Sequence, residues 1–174
     1  NPYLYQPLRR DTIEQFKKNN GMEGKFIVGM VARNQARKDH PRLLLAWQKF
    51  ARDKQDVMLL LHCCPVDQGW DLPDLVNRFG LNDKVRITMP HNNPAVGVPT
   101  DQMLILYNTM DVHCLVSSGE GFGLPVLESM SCGVPNITDD YAAAAELVKE
   151  ANAGLLIPSV TRIFRGMDHN FNRP

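Results

Sequence analysis

Short unbroken apolar runs recur along this chain, each followed by a segment with helical spacing, and that alternation limits the fold more than anything else. Residues 26–31 (Phe-Ile-Val-Gly-Met-Val) and 57–61 (Val-Met-Leu-Leu-Leu) contain no polar side chain. A strand with one face in water alternates polar and apolar residues, whereas a continuous run fits a strand covered on both faces. Shorter segments that read as further strands fall at 85–88, 112–116 and 135–138, each with one or two polar residues, and at 154–157. Between them lie helical patterns. Pro41 opens one in which Leu43, Ala46, Trp47 and Phe50 recur, and Leu72, Leu75, Val76 and Phe79 mark another, stopped by Gly80. Further helices are expected at 11–18, 101–108, 124–132 and 141–149. Strand and helix in strict alternation imply an α/β fold: a doubly wound, Rossmann-like parallel sheet of about six strands with helices on both faces.

The chain has 174 residues, enough for one domain with a real core. Residues 1–24 read as an interdomain lead-in with a polar helix, 25–160 as the Rossmann-like domain itself, and 161–174 as a polar tail without an apolar stripe. Lys+Arg and Asp+Glu balance at 19 each, which argues against nucleic acid as a partner. No apolar run approaches the ~18 residues of a membrane span. Cys63, Cys64, Cys114 and Cys132 show no C-x-x-C spacing, so they read as small core residues rather than metal or redox groups. A reducing, cytoplasmic location is the expectation that follows. The five histidines lack ligand spacing, and no metal site is expected.

The chemistry concentrates in residues 118–128, Ser-Gly-Glu-Gly-Phe-Gly-Leu-Pro-Val-Leu-Glu. A strand ends, three glycines alternate through a loop, and Pro125 fixes the first turn of a helix. Backbone N–H groups in such a loop approach an anion closely, and the helix dipole favours negative charge there. Glu120 lies in the loop and Glu128 one turn into the helix. A carboxylate at Glu128 suits sugar or ribose hydroxyls, or simple compensation of the helix dipole. A second cluster, Arg33-Asn34-Gln35-Ala36-Arg37-Lys38, follows the first strand and faces the same edge of the sheet. Its cations would neutralise a diphosphate resting on the glycine loop, or else form a solvated charged loop.

Glu120-x7-Glu128, set in Gly-Glu-Gly-Phe-Gly-Leu-Pro-x-Leu-Glu-x-Met-x-Cys-Gly-x-Pro, closely resembles the E-x7-E signature of retaining glycosyltransferases of family 4. Ala32-Arg33-Asn34 through Lys38 is similar to that family's Arg/Lys motif. Glu146-Leu147-Val148 and Gly154 to Pro158 resemble the segments that follow. The resemblance covers about residues 25–158 and implies one half of a GT-B enzyme, the carboxyl-terminal, donor-binding domain. It implies that Arg33 and Lys38 hold the donor diphosphate and stabilise the leaving nucleotide. By the same resemblance Glu120 and the amides of Gly121, Phe122, Gly123 and Leu124 surround sugar and phosphate. Glu128 takes the ribose hydroxyls, and Met89, Pro90 and His91 flank the base.

The implied activity is hexosyl transfer from a UDP, GDP or ADP sugar, with retention, no cofactor and no metal. The absence of any Asp-x-Asp agrees, since cationic side chains would replace the ion. The implied partner is an amino-terminal acceptor domain, through which any peripheral membrane association is expected. Residues 139–143 (Asp-Asp-Tyr-Ala-Ala) stand where many members carry a glycine-rich turn, a departure from the pattern. Two other readings are a non-catalytic nucleotide-binding module and an NAD-dependent oxidoreductase domain. Against the latter, the glycine loop follows the fourth strand rather than the first, and its spacing is not G-x-G-x-x-G.

Overall fold

The computed structural model describes residues 3–89, 95 and 97–158. Pro90, His91 and the tail 161–174 lie outside the described residues. The strands are β1 (Phe26–Val31), β2 (Val57–His62), β3 (Val85–Ile87), β4 (Val112–Leu115), β5 (Asn136–Asp139) and β6 (Gly154–Ile157). They form one six-stranded sheet in the order β3-β2-β1-β4-β5-β6. Every pairing is parallel, from Phe26 opposite Val57 at one end of β1 to Asp139 opposite Ile157 at the end of β5. The helices are α1 (Arg10–Asn19), α2 (His40–Ala51), α3 (Leu72–Arg78), α4 (Thr100–Thr109), α5 (Leu124–Ser131) and α6 (Ala142–Ala151).

The unbroken apolar runs are explained by where alternate side chains go. In β2, Val57, Leu59 and Leu61 join the main core with Leu44, Trp47, Leu72 and Val76 of α2 and α3. Met58 and Leu60 turn to the other face, where they pack with Met22 and Ile27 beneath Phe16 of α1 and Leu106 of α4. Each fully buried Leu here contributes about 1.5–3 kcal/mol relative to exposure. All four cysteines are free and buried, as core residues would be. Burial pushes the Cys63 and Cys114 thiols up to about 12, far from the reactive thiolate range.

One helix turns a different face inward from the one its sequence suggests. In α2 the buried residues are Leu43, Leu44, Trp47 and Ala51, while Ala46 and Phe50 are exposed. The stripe runs through 43, 47 and 51, four residues apart, so Phe50 falls on its flank. There its ring leans on Trp47 at 5.3 Å and receives the Lys54 ammonium at 4.5 Å.

The lead-in residues pack onto the domain. Leu8 N–H donates to Asn108 Oδ1 at 2.8 Å, and Asn108 Nδ2 returns a bond to Gln6 O at 3.0 Å. Asp111, just before β4, accepts the Ile27 N–H at 2.7 Å and Lys17 of α1 at 3.2 Å.

At the start of α6, Ala142 has φ 58, a left-handed conformation that costs an alanine roughly 1–2 kcal/mol. This is the position where a glycine-rich turn would relieve the strain. Ala142→Gly is therefore expected to stabilise the domain by about 0.5–1 kcal/mol, whereas Ala143→Gly, inside the same helix, destabilises it by a similar amount. Urea unfolding midpoints check both; a loss of stability with both variants would contradict the strain.

Candidate functional site

Strands β1 and β4 are neighbours, yet the chain leaves them in opposite directions across the sheet. Their carboxyl ends therefore open a crevice, the place where open α/β sheets bind ligands. Two loops flank it. The one after β1 contains a 3-10 turn, Ala36–Lys38, and ends at Asp39 in a left-handed conformation (φ 43) that starts α2. The one after β4 is braced from within: Ser117 N–H donates to Asp139 Oδ2 at 2.7 Å, and Ser117 Oγ donates to Gly119 O at 3.0 Å. Gly123 closes it at φ 83, close under Ala144, and there a side chain would be strained.

The loops are tied to each other. Ser118 donates to Arg37 O from its backbone N–H at 2.8 Å and from Oγ at 3.1 Å. Arg37 Nη1 donates back to Gly119 O at 2.6 Å and to Glu120 Oε1 at 3.3 Å. Lys38, a buried cation, places its Nζ on the same Glu120 Oε1. Burial pushes the Lys38 ammonium below its ordinary value, and Arg37 adds to that while Glu120 opposes it. Beyond Glu120 the chain enters α5 with Pro125 in the first turn. Among the described residues, the backbone N–H groups of Gly121, Phe122, Gly123 and Leu124 donate to nothing. A helix N-terminus with unsatisfied N–H groups and neighbouring cations can hold an anion such as a phosphate.

Beside the loops lies a cleft of about 280 Å³, lined by Arg33, His62, Cys64, Met89, Met103 and Pro125 among others. It suits a flat, partly apolar group next to an anion. A second hollow of about 280 Å³, lined by Gln48, Arg52, Gly80 and Lys84, sits at the opposite end of the sheet, where β3 begins. It lacks the glycine loop and the crevice.

The residues singled out in the sequence fall as follows. Lys38 and Glu120 meet directly, and Gly121, Phe122, Gly123 and Leu124 form the adjoining turn, with Phe122 and Leu124 exposed. Arg33 stands at the cleft rim, its Nε on Asp67 Oδ2 at 2.7 Å and Nη2 on Asp67 Oδ1 at 3.3 Å. That fork holds the Asp67 carboxyl below its usual range. Met89 lines the cleft. Glu128 is half-buried one turn further along α5 and accepts the Tyr107 hydroxyl at 2.7 Å. Pro90 and His91 lie outside the described residues.

Sequence reasoning missed several partners. Asn34 is fully buried, and its Nδ2 donates to Cys64 O, Pro65 O and Trp70 O while its Oδ1 accepts the Trp70 N–H at 3.0 Å. It pins the loop that carries Asp67. His62 reaches Thr88 Oγ1 from Nδ1 at 2.6 Å inside the cleft. His113 lies buried at the switch point with Nε2 accepting the Val31 N–H at 3.3 Å. Its Nδ1 must then carry the proton, donated to Asn136 Oδ1 at 2.7 Å, which also accepts Ser129 Oγ at 2.9 Å. No motif marks these residues; they serve the site through contacts distant in sequence. The described residues contain no cluster of three or more His, Cys, Asp or Glu suited to a metal. None of their helices is long and apolar enough to cross a membrane.

Fold and crevice together define a Rossmann-like α/β class of domain. Residues 11–163 match the family described as Glycosyl transferases group 1, and the chain belongs to that family. It is 26% identical over 137 residues to the D-inositol 3-phosphate glycosyltransferase of Corynebacterium urealyticum, covering 75% of this chain and 31% of that protein. A 54-residue stretch is 41% identical to O-antigen chain mannosyltransferase B of Escherichia coli, covering 31% of this chain and 14% of that one. The chain thus spans less than a third of these relatives' length. Its fold is similar to the C-terminal domain of the group 1 family protein LpcC of Francisella tularensis, at TM-score 0.74 and 19% identity over 92% of this chain and 80% of that one. It is also similar to Anabaena HepE in complex with UDP, at TM-score 0.73 and 24% identity over 91% of this chain and 41% of that one.

The buried histidines make stability pH-dependent. His113 is fully enclosed, and both ring nitrogens of buried His40 lack a hydrogen-bond partner among the described residues. Burial is the main cause that lowers each imidazole to about 4, with Lys38 adding to it. The unfolded chain then binds protons that the folded chain does not. Stability is held above about pH 6.5 and is lost as pH falls toward 4, by at most about 1.4 kcal/mol per pH unit for each histidine. Urea unfolding across pH 4–8 is expected to show this slope, and His40→Leu to reduce it; an unchanged slope in that variant would mean that His40 is not the titrating group.

Proposed function

We propose that this domain binds a nucleoside-diphosphate sugar in the β1/β4 crevice and forms the donor half of a retaining hexosyltransferase of family 4, with GT-B architecture. The observation that carries the reading is the joined pair of loops. Free N–H groups of Gly121 to Leu124 adjoin the contact of Arg37 and Lys38 with Glu120, and the same two chain segments supply Arg33 and Pro125 to the wall of a partly apolar cleft. A diphosphate fits the amides and cations, and a base fits the cleft beside Met89. UDP bound to the structurally similar Anabaena HepE supports the same class of donor.

In this reading Arg33 and Lys38 neutralise the charge that grows on the leaving diphosphate, without a metal. Asp67 aims Arg33 by engaging Nε and Nη2, which leaves Nη1 for phosphate. Glu120 is the partner of Lys38 in the free site, and its remaining lone pairs meet the hydroxyls of the sugar. Glu128 takes the ribose hydroxyls. Transfer itself needs an acceptor held in line with the anomeric carbon, and such positioning lowers a barrier by ~7–11 kcal/mol. We assign that surface to a partner amino-terminal domain. The oxidoreductase alternative would want Asp139 on a ribose, but that carboxylate accepts the Ser117 N–H.

Calorimetric titration tests this. UDP, GDP or ADP, or a sugar conjugate of one, is expected to bind in the presence of EDTA, and NAD(H) is not. Arg33→Ala changes an exposed side chain and should weaken the nucleoside diphosphate about ten- to a hundredfold while leaving the nucleoside nearly unaffected. Binding of NAD(H) alone, or equal losses for both ligands, would overturn the assignment.

A further inference from the structure

Tyr107 is completely buried, and its hydroxyl rests on a carboxylate rather than on a carbonyl or another hydroxyl. A buried phenol needs a partner, but a neutral one would serve at lower desolvation cost. The choice of Glu128 therefore calls for a reason beyond packing. Pro125 and Met103 both line the cleft. Glu128 follows Pro125 by three residues on α5, and Tyr107 follows Met103 by four on α4, so each lies on the cleft-facing side of its helix. The pair sits one turn behind the cleft wall.

The Tyr107 ring cannot swing. Tyr5 meets it edge-on with centroids 5.6 Å apart, and His113 does so at 6.0 Å. His113 is itself fixed between Asn136 and the Val31 N–H at the switch point. Burial first, then Glu128, pushes the Tyr107 hydroxyl far above its ordinary value, so it remains a donor at every working pH. Burial and Glu128 also raise Tyr5, which faces the same carboxylate from the lead-in segment. A carboxylate offers about four lone-pair sites. Even with both phenols engaged, two sites stay open, matching the two O–H donors of a vicinal diol.

We infer that Tyr107 is a positioning residue that fixes the Glu128 carboxylate to receive the cis-diol of a ribose, and so sets the preference for ribonucleotides over 2′-deoxynucleotides. This rests on the reading of Glu128 as the ribose acceptor. Tyr107→Phe keeps the ring and removes the fixed donor, leaving the carboxylate free to turn.

The test is calorimetry with UDP or GDP and their 2′-deoxy forms on the wild type, Glu128→Gln, Tyr107→Phe and Tyr5→Phe, with circular dichroism as a check of the fold. Glu128→Gln should abolish most of the ribose preference. Tyr107→Phe should narrow it about three- to tenfold by weakening the ribonucleotide, while 2′-deoxy affinity changes less than twofold. Tyr5→Phe should leave the preference within about twofold of the wild type. A purely structural role would lower both affinities together and leave their ratio intact. If Glu128→Gln loses the preference and Tyr107→Phe keeps it, the positioning role is wrong while the donor site stands. Equal narrowing by Tyr5→Phe would move the role away from Tyr107. A preference untouched by Glu128→Gln would remove Glu128 from the site, and this inference with it.

Discussion

The contact on which the candidate site depends is the one between Lys38 and Glu120, reinforced by Arg37. It joins residues more than eighty positions apart, one from the loop after β1 and one from the loop after β4. Both members are largely withdrawn from water, so neither charge can be left alone. Removing one partner of such a pair typically costs about 3–5 kcal/mol. The sheet order makes the contact available, because only the switch point brings these two strand ends side by side. In turn the contact holds the glycine loop against the cationic loop.

Behind that contact, polar groups of the strands and their loops are satisfied by side chains from other elements. Asn34 from the β1 loop closes the β2–α3 loop and with it presents Asp67 to Arg33. His113 of β4 satisfies a backbone N–H of β1 and ties it to β5 through Asn136. Asp139 of β5 holds the β4 loop at Ser117. Each is a cross-link between elements rather than a bond within one. A buried polar network of this kind is costly unless fully satisfied and rigid once it is. The group 1 glycosyltransferase fold thus supplies a crevice whose walls are set before any ligand enters.

The fold was legible because a parallel sheet leaves an emphatic mark: runs such as 57–61 have no polar face, and the structure shows both faces covered. The glycine loop was legible for a similar reason, since Gly123 needs a left-handed backbone and Pro125 a helix start. The α2 stripe was misread because Leu43, Leu44, Ala46, Trp47 and Phe50 fit more than one helical face, and only packing selects 43, 47 and 51. Asp67 could not be paired with Arg33 from sequence, being thirty-four residues away on a loop set by Asn34. Tyr107 and His113 looked like ordinary members of apolar segments. Their hydrogen bonds run to Glu128 and to a backbone N–H, partners that leave no spacing rule behind.

The central claim is that the loop entering α5 and the cationic loop after β1 grip a diphosphate. The most direct measurement is an amide NMR titration of the domain with a nucleoside diphosphate. Shifts are predicted at the N–H groups of Gly121, Phe122, Gly123 and Leu124 and in the segment from Arg33 to Lys38, with Gln48, Gly80 and Leu81 at the far end of the sheet unmoved. Shifts confined to that far end, or a bound nucleotide that leaves the amides of 121–124 unchanged, would contradict the account.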